Sequence, residues 1–560
     1  MPYPDILNPE LIDRIPLSAR TVLDVGCGGG ALGAEYKRRN PRARYFGIEL
    51  DPDAARLAAT RLDAVAEVDV EADPLPFGDT VFDCVLYGDV LEHLVDPWAL
   101  LREHAKYLSP EGTVLVCMPN VEHWSFAARL LTGNFDYEEQ GLFDHTHLRW
   151  FTPRMMGKAL ADAGLQLSDV SPRPIAREQA EQFVSALAPG LQALGVNPAE
   201  YLNRAVPLQF IWRARKSALA RIELSATMLT PQGGVSDVRV IEPIRAMRTD
   251  SALLGTIASE TDFDPRLQDS PRIAVLHRPL LLGESGIVRL RALLDKGYVI
   301  VSEFDDHPQF MEDRGVNLDD LLTFRGVHAI QTSTENLAEA LRPQNPEIEV
   351  FRNGIFALPP VNNFNDPDHL TLFFGAINRE ADWAPLMPVL NEVARAVGER
   401  LRFHVLRDEG FYNALETPHK RFEPMTSYAE YMTMLGAADI AFMPLADTLF
   451  NRAKSDLKFI EAGAARVAAL ASNVVYAGSV QNGKTGMLFA DPGELRVSLL
   501  RLLAYPEATR KMADAARAYV ADERMLAYQV APRTRWYRSL WERRAELNEA
   551  LRARVPELFA

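Results

Sequence analysis

Residues 21–33 read TVLDVGCGGGALG. An apolar run that favours a β-strand leads into a cluster of glycines and then into a helical pattern. Glycine lets the backbone turn sharply and approach a ligand closely, and the N-terminus of the following helix presents unpaired N–H groups to that ligand. The stretch therefore predicts a strand–turn–helix unit that binds a nucleotide.

A second strand with an acidic end follows this turn. Residues 45–52 read YFGIELDP, so the strand ends in Glu49. A carboxylate at that place can accept hydrogen bonds from both hydroxyls of a ribose. Gly26, Gly28 and Ala31 also fit the spacing of the dinucleotide fingerprint, so the glycines alone do not decide which cofactor binds.

The next segment narrows the choice of cofactor. Residues 69–94 read DVEADPLPFGDTVFDCVLYGDVLEHL. With Asp24 ahead of the glycines and Glu49 behind them, this segment resembles the class I S-adenosylmethionine-dependent methyltransferases over about residues 20–217. A nicotinamide cofactor, or a Rossmann-type sheet with no cofactor, stays open as an alternative.

The resemblance implies a role for each residue of the motif. The glycine turn would lie along the methionine and ribose of the cofactor, Glu49 would hold the ribose diol, Asp69 would face the adenine and Asp89 would lie near the methionine. The implied cofactor-binding residues are Asp24, Gly26, Gly28, Gly30, Glu49, Asp69 and Asp89.

Composition bounds the class of protein. A chain of 560 residues is too long for one core, so we expect several domains. The formal net charge of −16 argues against nucleic acid as the main partner. The three cysteines lie in apolar strand-like runs without C-x-x-C spacing, which favours buried thiols in a reducing compartment over a zinc ribbon or a disulfide framework.

The sequence predicts neither a secretory signal nor a membrane span. Its first residues, MPYPDI, lack the basic and apolar regions of a secretory signal, and no run approaches the apolar length that crosses a membrane. We therefore expect a cytoplasmic protein without a transmembrane segment, for which peripheral contact with a membrane stays open.

The alternation of strands and helices predicts a doubly wound parallel sheet in a first domain, residues 1–217. Residues 208–216 read as its last, edge strand, and residues 217–221 as the joint to the next domain. The predicted strands are 21–25, 44–48, 81–87 and 113–118, and the predicted helices are 31–40, 52–62, 97–108 and 153–164.

The same alternation restarts twice. A strand over 222–229 leads into a turn that contains Gly233 and Gly234, and the proline- and asparagine-rich residues 357–368 read as a linker before a third alternation. Two such units in succession resemble the two-lobed GT-B glycosyltransferases. The resemblance implies an N-terminal acceptor lobe (222–360), a C-terminal donor lobe (361–535) and a C-terminal helix (536–560), with the active site in the cleft between the lobes.

Motifs of the donor lobe resemble the group 1 glycosyltransferases, also called family 4. Residues 442–445 read FMPL, residues 454–464 read KSDLKFIEAGA and residues 482–489 read NGKTGMLF. By that resemblance Glu461 would bind the donor ribose, and basic side chains would face the diphosphate. The implied nucleotide-sugar-binding residues are Gly233, Gly234, Gly375, Arg379, Lys458 and Glu461.

The donor lobe also departs from that family. Ala453 stands where the family often has a second glutamate, and Ala384 where it commonly has a lysine. A module that binds glycan without transferring sugar therefore stays open. The acid pair Asp305-Asp306 ends a strand of the other lobe, where acids are commonly caps or solvated turns, so we predict no metal there.

The segment after the strand 113–118 is where the methyl acceptor should lie, and we call residues 119–152 the acceptor insertion. It contains PNVEHWS (119–125) and DHTHLRWFT (144–152). Methyl transfer to a hydroxyl requires removal of its proton, a task that suits histidine. The candidates are His123, His145 and His147.

Similar stretches in methyltransferases of polysaccharide loci favour His147 and His123 over His145. Each of the three could instead be a core or helix-capping histidine. A metal site built from Asp144, His145 and His147 would need further ligands, so we predict no metal in this domain either.

Together the motifs predict a bifunctional transferase. We expect O-methylation of a sugar hydroxyl with S-adenosylmethionine, and sugar transfer from a nucleotide-sugar, in the synthesis of a surface polysaccharide or glycoconjugate. The expected acceptor is a glycan or a glycolipid. One alternative is a methyltransferase whose second half is a GT-B-like glycan-binding module, and another is an enzyme that modifies a protein or a small metabolite.

Overall fold

The computed structural model describes residues 6–174, 177–217, 220–228, 233–259, 263–267, 270–313 and 315–560. Two compact units account for the chain. The first comprises Met1–Lys37, Arg42–Ala220 and Arg248–Ala252, and the second Arg38–Pro41, Arg221–Met247 and Leu253–Ala560.

The first unit is built on a seven-stranded sheet with the order β3-β2-β1-β4-β5-β7-β6. Strands β1 to β5 pair in parallel, and β7 is antiparallel to both of its neighbours. The strand order reverses between β1 and β4, so the carboxyl ends of those two strands flank the crevice in which such a sheet binds its ligand. The strands are β1 (Thr21–Val25), β2 (Arg44–Glu49), β3 (Ala64–Glu67), β4 (Phe82–Gly88), β5 (Leu108–Pro119), β6 (Gln166–Pro174) and β7 (Pro207–Arg215).

Most helices of this unit begin at a polar cap followed by proline, which satisfies an exposed N–H group and fixes the first helical φ angle. The caps are Asn8, Asp51, Asp96, Thr152 and Asn197. The helices are α1 (Pro9–Ile12), α2 (Ala31–Arg39), α3 (Pro52–Ala58), α4 (Pro97–His104), α5 (Trp124–Thr132), α6 (Pro153–Asp162), α7 (Arg177–Ala193) and α8 (Pro198–Ala205).

Both faces of the sheet are buried, as expected for parallel strands. Leu23 and Trp212 belong to the core on one face, and Val22 and Ile211 to the core on the other. All three cysteines are buried and free, as predicted.

The prediction that residues 208–216 form the edge strand is wrong. The corresponding strand, β7, lies between β5 and β6, and β6 is the edge. Residues 166–174 read QLSDVSPRP, and their polar side chains and two prolines hide the strand from a pattern search. The predicted joint 217–221 includes residues 218 and 219, which lie outside the described part of the chain.

The second unit contains two six-stranded parallel sheets. The first has the order β13-β12-β11-β10-β8-β9. Its strands are β8 (Ile222–Met228), β9 (Leu253–Ala258), β10 (Arg272–His277), β11 (Val299–Glu303), β12 (Ala329–Thr332) and β13 (Ile348–Val350). A π-helical turn over Asp237–Ile241 precedes the first of its helices, which are α9 (Glu242–Arg248), α10 (Gly283–Asp295), α11 (Gln309–Glu312), α12 (Leu322–Arg325) and α13 (Glu335–Leu341). Residues 229–232, predicted as a strand end and a turn, lie outside the described residues.

The second sheet of this unit has the order β16-β15-β14-β17-β18-β19. Its strands are β14 (Leu370–Gly375), β15 (Leu401–Leu406), β16 (Lys420–Glu423), β17 (Ile440–Met443), β18 (Ala468–Ser472) and β19 (Gly486–Phe489). The helices are α14 (Glu380–Trp383), α15 (Met387–Val397), α16 (Glu409–Ala414), α17 (Tyr428–Gly436), α18 (Leu449–Arg452), α19 (Leu457–Ala464), α20 (Asn473–Tyr476), α21 (Pro492–Ala504), α22 (Pro506–Glu523), α23 (Val530–Glu542) and α24 (Arg544–Arg554).

The last two helices return to the first sheet of the unit. The Tyr537 hydroxyl donates to Gln331 at 2.6 Å, and His328 Nε2 donates to Asn548 Oδ1 at 2.9 Å. The predicted boundary between residues 535 and 536 falls inside α23, so the returning segment begins before that position. The predicted α/β class, a Rossmann-like domain followed by parallel-sheet lobes, is confirmed.

Candidate functional site

The glycine turn after β1 and the carboxylate at the end of β2 meet directly. Glu49 Oε2 accepts the N–H of Gly28 at 2.8 Å, and Oε1 accepts the N–H groups of Leu50 and Asp51 at 2.9 and 3.0 Å. Hydrogen bonds from backbone N–H groups fix the direction of the carboxylate. The turn therefore presents an oriented acceptor of the kind that a ribose diol needs.

A side chain is disfavoured at two glycines of the turn for different physical reasons. Gly26 has φ +72°, and a Cβ there would lie 2.3 Å from Val90 Cγ2, so the turn packs tightly against the segment that follows β4. Gly28 has φ +52°, and a Cβ there would meet nothing within 4 Å. The second glycine therefore borders open space that a ligand can occupy.

Asp24 lies beneath the turn rather than at its surface. Its carboxylate is 3% exposed and accepts the Tyr45 hydroxyl at 2.9 Å. Burial raises the pKa of Asp24 to about 7, partly offset by that hydrogen bond. Gly30 lies at the start of α2, against Ala58 of α3.

Asp69 follows β3 and Asp89 follows β4, the strands on either side of the β1–β2 pair. Asp69 is exposed, and its carboxylate accepts the N–H of Glu71 at 2.9 Å. Asp89, directly after β4, has φ +57° and accepts a hydrogen bond from the side chain of Gln209. Burial raises the pKa of Asp89 above its usual range.

The acceptor insertion has a small core of its own. Phe126, Leu142 and Phe143 form a buried cluster against which Trp150 packs. This cluster positions His147, whose ring lies 5.4 Å from the ring of Trp150. Apolar contacts within the insertion therefore hold His147 in place.

The structure separates the three candidate histidines. His147 is 9% exposed, whereas 57% of the His145 side chain is exposed. His123 caps α5 by accepting the N–H of Ser125 at 3.4 Å. Burial lowers the pKa of His123 to about 4, and its Nε2 has no partner among the described residues.

A cluster that the sequence motifs did not indicate surrounds His147. Its ring lies 4.8 Å from that of His93, and one ligand atom from each of Glu92, His93 and His147 lies within 4.8 Å of the others. Burial raises the pKa of Glu92 well above its usual range. The sequence motifs gave Glu92 and His93 no role of their own, because only the fold brings the segment after β4 and the insertion together.

The predicted donor-site residues of the second unit form a second constellation. Glu461 is 1% exposed, and its carboxylate accepts the Tyr431 hydroxyl at 2.8 Å. Lys458 Nζ lies 3.6 Å from Glu461 and donates to the Tyr431 hydroxyl at 3.0 Å. Two predicted residues are thus joined by a tyrosine that the sequence analysis did not single out.

The remaining predicted residues lie around this group. Arg379 donates to Asp382 at 3.0 Å and to Asn451 at 2.9 Å. A Cβ on Gly375 would lie 2.7 Å from the ring of Phe373, so this glycine is also required by packing.

The turn of the other lobe approaches the same group. A Cβ on Gly233 would lie 3.8 Å from Arg407, and one on Gly234 would lie 3.9 Å from Tyr428. Burial and the charge of Glu461 raise the pKa of Glu242, in the same lobe as the turn, to about 8. The cleft between the two sheets of this unit therefore brings the predicted residues of both lobes together.

The acid pair Asp305-Asp306 has cationic partners. Arg278 lies 2.5 Å from Asp305 and 2.9 Å from Asp306, and Lys454 lies 2.6 Å from Asp306. The carboxylates thus form ion pairs with the protein's own cations. Ala453 is buried among apolar side chains of the first sheet's core, where a glutamate would have to be desolvated.

An α/β sheet with a glycine turn and an oriented glutamate at its switch point defines a domain that binds a nucleoside cofactor. Residues 7–170 match a family model described as a methyltransferase domain. A ubiquinone biosynthesis O-methyltransferase of Xylella fastidiosa is 32% identical over 174 residues, which are 30% of this chain and 70% of that protein. One of Xanthomonas oryzae pv. oryzae is 31% identical over 30% of this chain and 72% of its own length.

The chain therefore belongs, through its N-terminal domain, to the methyltransferase family. This domain has the fold of the S-adenosylmethionine-binding methyltransferases. None of the helices in the described ranges is long and apolar enough to cross a membrane.

Two solved structures resemble parts of the chain. The plantazolicin methyltransferase BpumL in complex with SAH is 18% identical, with a TM-score of 0.26, over 37% of this chain and 83% of its own. TarM is 10% identical, with a TM-score of 0.38, over 48% of this chain and 54% of its own. Both scores lie below 0.5, and neither comparison bears on function.

Proposed function

We propose that the N-terminal domain, residues 1–217, transfers the methyl group of S-adenosylmethionine to a hydroxyl oxygen of a sugar. The observation that carries this proposal is the Glu49 carboxylate, which three backbone N–H groups orient beside the glycine turn. The names of the curated relatives, O-methyltransferases, support an oxygen acceptor.

The roles of individual residues follow from their surroundings. Gly26, Gly28 and Gly30 would leave room for the cofactor, Glu49 would bind its ribose, and Asp69 and Asp89 would lie at its two ends. Asp24 would act from beneath the turn. These seven positions border the carboxyl ends of β1, β2, β3 and β4 or the loops that follow them, where a doubly wound sheet binds ligands.

His147 is the histidine best placed to act on the acceptor. Its Nδ1 lies 3.3 Å from the carbonyl oxygen of Leu142, which can only accept, so Nδ1 carries the proton and Nε2 carries the lone pair. His123 uses its Nδ1 lone pair to cap α5, and His145 lies mostly in solvent. Both of these arrangements suit structure better than proton transfer.

For the second half we propose sugar transfer from a nucleotide-sugar, with lobes over 222–360 and 361–535 and a returning segment over 536–560. Glu461 would bind the ribose, and Lys458 and Arg379 would meet the diphosphate charge that grows as the leaving group departs. The cluster of these residues in the cleft, opposite the turn with Gly233 and Gly234, supports the proposal.

A binding module without sugar transfer is the second candidate. Ala453 occupies an apolar core position, and Arg379 already has two internal partners. These observations favour a cleft that holds glycan and presents it for methylation.

Either version fits the assembly of a surface polysaccharide or glycoconjugate in the cytoplasm, with a glycan or glycolipid acceptor that could bring the protein to a membrane surface. The deciding experiment incubates the full chain with S-adenosylmethionine, a panel of nucleotide-sugars and hydroxyl-bearing glycans. Both methylated and extended products are expected. Methylation without any binding or turnover of a nucleotide-sugar would leave the binding module as the better account.

A further inference from the structure

Three side chains capable of binding a metal converge next to the glycine turn. Glu92 and His93 lie on the 3-10 turn Leu91–His93 after β4, and His147 lies on the acceptor insertion. The N–H groups of Leu148 and Arg149 donate to the carbonyl oxygen of Glu92 at 2.7 and 2.9 Å. These backbone hydrogen bonds hold the insertion against the turn, so the cluster does not depend on mobile side chains alone.

Glu92 carries an unusual carboxylate. The residue is 1% exposed, and within the described part of the chain neither of its side-chain oxygens has a hydrogen-bond partner. A buried carboxylate without a partner is costly, and native proteins resolve that cost with a paired charge, a hydrogen bond or a bound ion. The two side chains that share its pocket are imidazoles.

The imidazole of His147 is fixed in the form that a metal requires. Its Nδ1 donates to the carbonyl oxygen of Leu142 at 3.3 Å, so the neutral ring carries its lone pair on Nε2. Metal-binding histidines commonly donate their other ring N–H to a carbonyl or a carboxylate in this way.

His93 is oriented in a similar way, through a hydroxyl group that is itself hydrogen-bonded to a carboxylate. The Thr146 hydroxyl donates to Asp144 at 2.7 Å, so its oxygen is left to accept from His93 Nδ1 at 2.9 Å. This chain from imidazole through hydroxyl to a carboxylate that is 2% exposed places a proton on His93 Nδ1 and so favours a lone pair on Nε2. Asp144 therefore supports a ligand, whereas the sequence analysis considered it as a ligand itself.

We propose that Glu92, His93 and His147 bind a divalent transition-metal cation of the zinc or cobalt type. Two imidazoles and one carboxylate suit such borderline cations, whereas magnesium and calcium prefer oxygen ligands throughout. Three protein ligands leave coordination positions open for water or for an oxygen of the acceptor. Two of the three residues, Glu92 and His93, lie on the 3-10 turn that follows Val90, the residue packed against Gly26 of the cofactor turn.

The bound cation also has a role in methyl transfer. This role rests on the proposed function. A hydroxyl oxygen bound to the cation loses its proton to water more readily than a free one. Its electron pair then forms the bond to the methyl carbon while the bond from that carbon to sulfur breaks, and the electron pair of the broken bond stays on the sulfur. The products are the methyl ether, neutral S-adenosylhomocysteine and hydronium.

Cobalt(II) titration of the chelator-treated full chain, with any affinity tag removed, tests the cation site by visible absorption. The wild type should show one saturable band that zinc displaces. Glu92→Gln and His147→Ala should weaken binding by more than the ~10–100-fold that loss of a supporting partner costs, and Thr146→Val should weaken it by about that amount. His145→Ala is the matched control, because this exposed histidine lies outside the cluster and should leave the titration unchanged.

Calorimetry with S-adenosylmethionine on the same samples checks the fold of each variant and keeps the two proposals separate. A wild type without the band, or a band that survives both Glu92→Gln and His147→Ala, would overturn the cation site. Full methylation by chelator-treated wild type, together with its loss in His147→Ala, would assign His147 as a base and overturn the cation's role in transfer. Failure to bind S-adenosylmethionine while the band persists would overturn the proposed function and leave the cation site intact.

Discussion

Replacement of Glu49 by glutamine tests the cofactor site most sharply. The side chain keeps its size, but one carboxylate oxygen becomes an NH₂ group that faces backbone N–H donors. The variant also loses the charge that strengthens hydrogen bonds to a ribose diol. Loss of a charged hydrogen-bonding partner costs about 1–3 kcal/mol, so we expect S-adenosylmethionine to bind about 5- to 150-fold more weakly.

Calorimetry on the full chain measures this change, and Glu67→Gln is the matched control. Glu67 pairs with Glu49 across β2 and β3 and is exposed, so its replacement removes the same charge one strand away. The control should bind S-adenosylmethionine like the wild type. An unchanged affinity in Glu49→Gln, or tighter binding of NAD than of S-adenosylmethionine by the wild type, would refute the reasoning.

Three further predictions concern the turn, the cleft and acid stability. Gly28→Ala should abolish cofactor binding with a loss of stability of about 1 kcal/mol. Gly26→Ala should lower the melting temperature severely, because its Cβ would overlap a neighbouring valine. Equal melting temperatures of the two variants would contradict this prediction. Lys458→Met should reduce the initial rate of sugar transfer more than it reduces nucleotide-sugar binding measured by calorimetry. Lys484→Met, at an exposed position, should change neither quantity. An equal effect of the two variants would contradict the assignment. Burial lowers the pKa of His104 from 6.5 to about 4. Between those pH values only the unfolded chain binds this proton. The free energy of unfolding should therefore fall as the pH drops from 6.5 to 4, by up to about 3 kcal/mol from this group. Urea titrations of wild type and His104→Gln should show a shallower acid dependence in the variant, and identical slopes would contradict it.

The N-terminal fold could be predicted from short sequence motifs, because the residues that define its cofactor turn lie close together in the sequence. The turn from Gly26 to Gly30 and the acid at Glu49 have fixed spacing, and the structure joins them by a hydrogen bond. The edge strand β6 could not be predicted, because its polar sequence becomes a strand only through pairing with β7. Strand order is a non-local property that the pattern of residues 166–174 does not contain.

The candidate sites, too, could be predicted only in part from the sequence. The sequence motifs include Glu461 and Lys458, but the tyrosine between them, Tyr431, comes from a helix about thirty residues earlier. Likewise His147 stands out by its motif, whereas its contact with Glu92 depends on how the acceptor insertion folds back. Motifs thus indicate single residues, and the partners that set their charge and tautomer come from tertiary packing.

The central claim is methyl transfer from S-adenosylmethionine to a sugar hydroxyl. Its most direct test is tandem mass spectrometry of glycan and glycolipid acceptors after incubation of the full chain with S-adenosylmethionine that carries a deuterated methyl group. The account predicts a labelled methyl ether on a sugar oxygen, formed by the wild type and formed about 5- to 150-fold more slowly by Glu49→Gln at subsaturating cofactor. Label on nitrogen or carbon, or no labelled glycan from a protein that binds S-adenosylmethionine, would contradict it.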